Sequence, residues 1–209
     1  MAKPLPPLVR LHLTGLLLLL VFTVVCGIAY PLLITGIGEL IFPGQANGSQ
    51  VRLNGQVVGS SLLGQNFDLR RIDPKAPALP DPRWFQPRPS AAGTDGYDAL
   101  ASGASNLGPN DSGLTKLVKA RRVALALFDG VLPASVPPDA LTGSGSGLDP
   151  DISPAYAYEQ VGRVARSRRL PVAVVRQLVA DHVDGRVLGF LGQQRVNVVT
   201  LNLALARLG

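Results

Sequence analysis

Residues 13–33 read LTGLLLLLVFTVVCGIAYPLL, and this stretch decides the fold. No charged side chain interrupts it, and five consecutive leucines, Leu16 to Leu20, sit in it. As a helix, its 21 residues (33 − 13 + 1) at about 1.5 Å each cover roughly 30 Å, the thickness of a bilayer's hydrocarbon core. In lipid a lone segment satisfies its backbone groups only as a helix. The expected organisation is a cytoplasmic tail (1–12), a transmembrane helix (13–35) and one soluble domain (36–209).

Charge sets the expected orientation. Lys3, Arg10 and the chain amino group precede the span. Glu39 follows it, and no basic residue appears until Arg52. Lys/Arg-rich flanks stay cytoplasmic, so the long C-terminal part is read as lying outside the cell membrane. A cleaved signal peptide is the rival reading. Against it, the apolar run exceeds the usual length, and the best small-residue site, Gly27-Ile28-Ala29, is followed by Tyr30-Pro31 and further apolar sequence. Val25 before Cys26 is too bulky for a lipoprotein site. Pro31 removes one backbone donor and predicts a kink.

Beyond the span about 170 residues remain, enough for one domain with a real core. Cys26 is the only cysteine, which excludes an intrachain disulfide, so the domain must be held by packing. The net charge of +6 favours anionic lipid heads or a partner surface. No nucleic-acid module is recognisable.

The class predicted for the domain is α+β. Val51 to Leu53 and Gln56 to Val58 flank Asn54-Gly55, the strongest short-range hairpin signal. Asn66 to Pro82 is polar and Pro-rich and reads as an exposed loop. Trp84 and Phe85 are expected to anchor that loop on the core. Ser112 to Phe128 has the spacing of an amphipathic helix capped by Asp111 or Ser112. Its inner face is read as Leu114, Leu117, Val118, Leu125 and Phe128, with Lys116, Lys119, Arg121 and Arg122 mostly off it. Three helices close the chain: Pro154 to about Arg168 behind an N-cap at Ser153, Pro171 to about Val183, and about Asn197 to Leu208. Leucine alternation at 201, 203 and 205 also permits a strand in the last.

Two Gly/Ser-rich stretches expose many backbone amides and are the candidates for cradling an anion. One holds Ser105 and Asn106; the other holds Ser144, Gly145, Ser146, Gly147 and Asp149. Ordinary Asx and Ser/Thr turns are the favoured explanation of these loops. Neither is a Walker A loop, and no serine has glycine both two before and two after it, as a hydrolase elbow requires. A Ser-His-Asp site would need His182, which has no second histidine outside the membrane to share a metal and is read as a packing residue. Asp149 and Asp151 are read as turn and cap residues. The residues alone indicate a membrane-anchored, non-catalytic interaction domain. The competing class is a surface-anchored hydrolase acting alone.

Several stretches together carry a resemblance: YPLLITGIGELIFPGQANGS (30–49), GSSLLGQ (59–65), WFQPRPSA (84–91), SGASNLGPND (102–111), TGSGSGLDPDISP (142–154) and RVNVVTLNLALARL (195–208). The chain resembles the C subunits of Kdp-type potassium-transporting ATPases. It departs from them at Asp151, where many relatives carry histidine, at Glu39, where glutamine is usual, and in a longer Asn66–Pro82 segment. The resemblance implies an inner-membrane complex for potassium uptake. The implied partners are a channel-like potassium-binding subunit, a catalytic P-type ATPase subunit and a small membrane peptide. It also implies ATP as a cofactor and a role as a catalytic chaperone needed for assembly. The charge flanks place the domain where ATP is scarce, so an indirect route to the ATPase subunit is expected.

Overall fold

The computed structural model describes residues 6–73 and 75–208. The chain divides between Ser49 and Gln50 into two compact units.

The first unit is a rod. Helix α1 (Pro7–Val24) runs into a π-helical turn (Val25–Ala29) and on into α2 (Tyr30–Ile41); a short α3 (Pro43–Ala46) follows. Pro7 at the first helical position has no amide to satisfy, which suits a helix start. From Pro7 to Ile41 the helix is long and apolar enough to cross a membrane, and no part of its apolar stretch is buried against protein. The structure answers the expected disturbance at Pro31 with the π turn just before it, where the Tyr30 amide bonds to Val25 O. A proline ring crowds the carbonyl four residues back, here Gly27, and the widened turn contains that residue. His12 Nδ1 bonds Leu8 O at 2.7 Å, within its own helix.

The second unit is α+β, as its sequence predicts. Strands β1 (Gln50–Leu53) and β2 (Gln56–Ser60) form the antiparallel hairpin. Asn54 and Gly55 have φ +50° and +80°, the paired left-handed conformation of a type I′ turn. Helix α4 (Ser112–Asp129) is capped by the Asp111 side chain, which accepts from the Leu114 amide. A 3₁₀ turn (Pro133–Ser135), α5 (Pro138–Leu141) and β3 (Asp151–Ile152) lead to α6 (Pro154–Arg168). Ser153 caps α6 by accepting from the Tyr156 amide, and Asp139 in turn accepts from the Ser153 amide (2.7 Å) and hydroxyl (2.8 Å). Then come α7 (Val172–Asp181), β4 (Val183–Asp184), β5 (Arg195–Asn197) and α8 (Val198–Ala206). The final segment is helical rather than extended, because the Asn197 side chain caps it by accepting from Val199 and Thr200 amides.

The sequence reading missed a three-stranded antiparallel sheet with β5 between β3 and β4. Ile152 and Val183 both pair with Val196. Asp151 is therefore a strand residue opposite Asn197, not a cap, and its carboxylate pairs with Arg195 at 3.1 Å. Val196 joins Ala157, Val161 and Val164 of α6, Val175 and Val179 of α7, Leu201 and Leu205 of α8, and Phe85 in one core.

Helix α4 corrects the predicted inner face. Leu117 is exposed, whereas Ala126 and Asp129 are buried and Arg121 is half-buried. Arg121 follows Val118 by three residues and precedes Leu125 by four, which is the spacing of the inner stripe.

Candidate functional site

The WFQPRPSA segment crosses the core as an extended strut, held by side-chain amides in place of a sheet partner. Asn202 of α8 accepts from Phe85 N and donates to Phe85 O, both at 2.9 Å. Gln160 of α6 does the same for Gln86, at 2.6 and 3.0 Å. The Gln86 side chain donates to Phe67 O and Asp81 O and so ties down the Pro-rich segment. Phe85 is fully buried, as expected of an anchor. Trp84 packs on Phe67 and carries the Arg168 guanidinium 4.1 Å from its ring centroid.

Arg163 of α6 secures the strut from below. It donates to Asp129 Oδ1 (2.6 Å), Pro82 O (2.7 Å), Trp84 O (2.9 Å) and Gln160 Oε1 (2.6 Å), and lies over the Phe128 ring. Asp129 Oδ2 has no partner, and burial pushes its carboxyl above the usual range although Arg163 pulls it down. On α6 Glu159 also has one buried, unpartnered oxygen. Burial, with Asp129 and Asp139 nearby, pushes its carboxyl up to about 7.

Beyond the strut, the chain turns into the two Gly/Ser loops. Arg88 binds Thr142 O, Gly143 O and Asp149 Oδ2. Ser90 donates to Gly147 O at 2.6 Å and accepts from the Ala92 and Tyr97 amides. The loops join each other where Gly103 N and Ser102 Oγ both donate to Ser146 O. Gly147 has φ +68°, and a Cβ there would lie 2.6 Å from Gly103 O, so this contact requires glycine.

The structure separates the seven candidate residues into two groups. Ser105, Asn106, Ser144 and Gly145 line one cleft of about 240 Å³, together with Ser90 and Arg121. Ser146, Gly147 and Asp149 are outside it. The Gly147 and Leu148 amides donate to Ser144 Oγ and Ser146 Oγ, so these two amides close turns. Asp149 Oδ1 accepts from the Asp151 amide, and Oδ2 faces Arg88. It lines a second cleft of about 450 Å³ with Asp139, Asp151, Gln193, Gln194 and Arg195.

His182 is half-buried, and its Nδ1 bonds Leu178 O at 2.8 Å. Among the described residues no hydrogen bond joins it to a serine or carboxylate, and no cluster of three His, Cys, Asp or Glu can hold a metal. Sequence reasoning missed Gln86, Gln160, Arg163 and Asn202 as parts of the strut. Only their polar character within otherwise apolar helical stripes, three of the four on α6 and α8, hints at a buried network.

A model of the family described as KdpC, the K+-transporting ATPase c chain, matches residues 12–207. The chain belongs to the KdpC family. It is 53% identical to the potassium-transporting ATPase KdpC subunit of Kineococcus radiotolerans, over 98% of this chain and 97% of that one. It is 50% identical to the KdpC subunit of Mycobacterium bovis BCG, over 95% and 99%. With that of Streptomyces coelicolor it shares 47% over 95% and 93%. The KdpC match covers both the apolar rod and the domain carrying the strut and clefts.

Proposed function

We propose that the chain is a non-catalytic accessory subunit of a potassium-transporting ATPase complex. On this reading, residues 1–12 lie in the cytoplasm, 13–35 cross the cell membrane, and 36–209 form an external domain. The partners are a channel-like subunit that binds and carries potassium, a P-type subunit that hydrolyses ATP, and a small membrane peptide. The accessory subunit supports assembly and raises the ATP affinity of the catalytic subunit without contacting the nucleotide.

The observation that carries this reading is a KdpC match spanning the rod and the domain. The geometry of the loops supports the indirect route. Their amides at 147 and 148 are engaged in turns, the cleft holding Ser144 is about 240 Å³, below the roughly 300 Å³ at which ligand pockets begin, and the larger cleft beside Asp149 is lined by Asp139, Asp149 and Asp151, which repel a polyanion. A conformational bias needs only contacts that differ between states of the complex.

Three measurements test it. Affinity purification of the full chain from membranes is expected to bring two larger membrane proteins with it. Removing the chain is expected to raise the KM for ATP of the remaining complex. Single cysteines in the domain, in a Cys26→Ser background, are expected to react with an impermeant reagent added outside sealed cells. Labelling only from the cytoplasmic side overturns the indirect route, and unchanged KM without the chain overturns the accessory role.

A further inference from the structure

The outer face of α4 is apolar, where a helix packed on a core ordinarily turns polar side chains to water. Leu117, Ala120, Val123, Ala124 and Leu127 are all exposed, and their spacing puts them on one stripe, opposite the inward stripe of Val118, Leu125 and Asp129. Val123 is 55% exposed and Leu127 79%, and Leu132, just past the Gly130 cap, is 75% exposed. A contiguous apolar face rimmed by charge marks a surface that a partner or a membrane covers.

The rim decides between them. Lys119 and Arg122 follow one edge of the stripe, and Lys116 stands at its N-terminal end. All three are exposed, and none ion-pairs with a described residue. The one carboxylate on α4, Asp129, is buried and held by Arg163, so the outer face carries cations alone. Another exposed apolar cluster, Val187, Leu188, Phe190 and Leu191, has no such bias, since Asp184 and Arg186 lead into it with opposite charges. A helix with an apolar face and Lys/Arg beside it suits the boundary between headgroups and acyl chains of an anionic bilayer. Long Lys and Arg stems let the charges reach phosphates while the stripe sinks below them. Such a surface is also close at hand. The rod ends at Ile41, eight residues (49 − 42 + 1) before β1, so a bilayer that holds the rod is presented to the domain at high effective concentration. We propose that the outer face of α4 lies on the surface of an anionic lipid bilayer, with Val123 and Leu127 at the headgroup boundary and Lys116, Lys119 and Arg122 on lipid phosphates.

This inference rests on the membrane anchoring in the proposed function, and not on the accessory role. The test uses the full chain in a Cys26→Ser background, with Leu127→Cys carrying an environment-sensitive fluorophore. The chain is reconstituted into vesicles of phosphatidylcholine alone or of equal parts phosphatidylcholine and phosphatidylglycerol, with lipids brominated near the headgroup as quenchers. Leu188→Cys is the matched control, because Leu188 is also 79% exposed. Quenching is expected at 127 in the phosphatidylglycerol vesicles, several-fold stronger than at 188, and weak in phosphatidylcholine alone. Lys116→Gln, Lys119→Gln and Arg122→Gln together are expected to weaken the contact on the order of a hundredfold, at about fivefold for each cation near an anionic surface. Quenching at 127 then falls to the level at 188, while the thermal midpoint stays unchanged because the three side chains are exposed. No quenching at 127, equal quenching at 127 and 188, or quenching indifferent both to phosphatidylglycerol and to the three Gln replacements overturns the proposal. A blue-shifted probe at 127 without bromolipid quenching means that protein covers the face, and also overturns it. A chain that fails to float with the vesicles overturns the anchoring together with this inference. Quenching as expected in a chain whose removal leaves KM for ATP unchanged supports the lipid surface and sinks the accessory reading alone.

Discussion

Replacing Arg163 by alanine tests whether the strut, and not only the apolar core, holds the domain together. The side chain is nearly fully buried and donates to four acceptors on three parts of the chain. Truncation leaves Asp129, itself buried, without its counter-ion, removes the Arg163 bond to Pro82 O, and leaves Trp84 O only a long 3.5 Å bond from Gln86 Nε2. Breaking a buried pair from one side typically costs about 3–5 kcal/mol, because the remaining charge stays desolvated. At roughly 2–4 °C per kcal/mol for a domain of this size, a loss of about 4 kcal/mol lowers the thermal midpoint by roughly 8–16 °C. Urea unfolding of the full chain in micelles, followed by Trp84 fluorescence, reads the change directly, since Trp84 is the only tryptophan and its carbonyl is an Arg163 acceptor. The paired replacement Arg163→Met with Asp129→Leu is expected to recover most of the loss, because neither charge then remains buried. A cost for Arg163→Ala below about 1 kcal/mol refutes the reasoning, since that is the size of an exposed pair. So does a double variant as unstable as the single one.

Glu159→Gln is expected to flatten the pH dependence of stability. The folded carboxyl titrates at about 7 against 4.5 ordinarily, so between these values the folded state holds more protons and stability falls as pH rises. Partial solvation limits the effect to about 1 kcal/mol; urea midpoints at pH 5 and 8 that differ equally in both proteins would sink this assignment. Ser153→Ala should cost about 1 kcal/mol or more in the same assay, because the hydroxyl caps α6 and also donates to Asp139. Gly64→Ala should destabilise by about 1–3 kcal/mol, since the new methyl would lie 2.8 Å from Asp149 O and against the Tyr97 ring; a neutral result would mean that this packing is loose.

The first three long helices of the domain were legible because their starts carry signals that act within one turn. Asp111 and Ser153 cap α4 and α6, and Pro171 precedes α7. The last stayed open to a strand reading because its cap at Asn197 went unrecognised. Asn54-Gly55 suits only a left-handed turn. The three-stranded sheet was not legible. Strands of two or three residues show no alternation, and Val183 reads equally well as the end of the preceding helix. The strut was half legible: Phe85 announced burial by its ring, but the roles of Gln86, Gln160 and Asn202 come from partners 74 and 117 residues away. For the clefts, the sequence marked Ser144 and Ser105 as loop residues. It could not show that Gly103 and Ser146 join the two loops beside a helix that turns Arg121 inward.

The keystone of the domain is made of residues synthesised late. Strand β5 is the middle strand of its sheet, and Asn202 of α8 supplies both bonds to the Phe85 backbone. Until residues 195–205 leave the ribosome, Ile152 and Val183 lack their common neighbour and the buried amide of Phe85 has no acceptor. The apolar rod, by contrast, emerges first. Biogenesis thus has a fixed order, with the rod available to lipid while its cargo is still an open thread, and a truncation before Arg195 leaves a head that never closes.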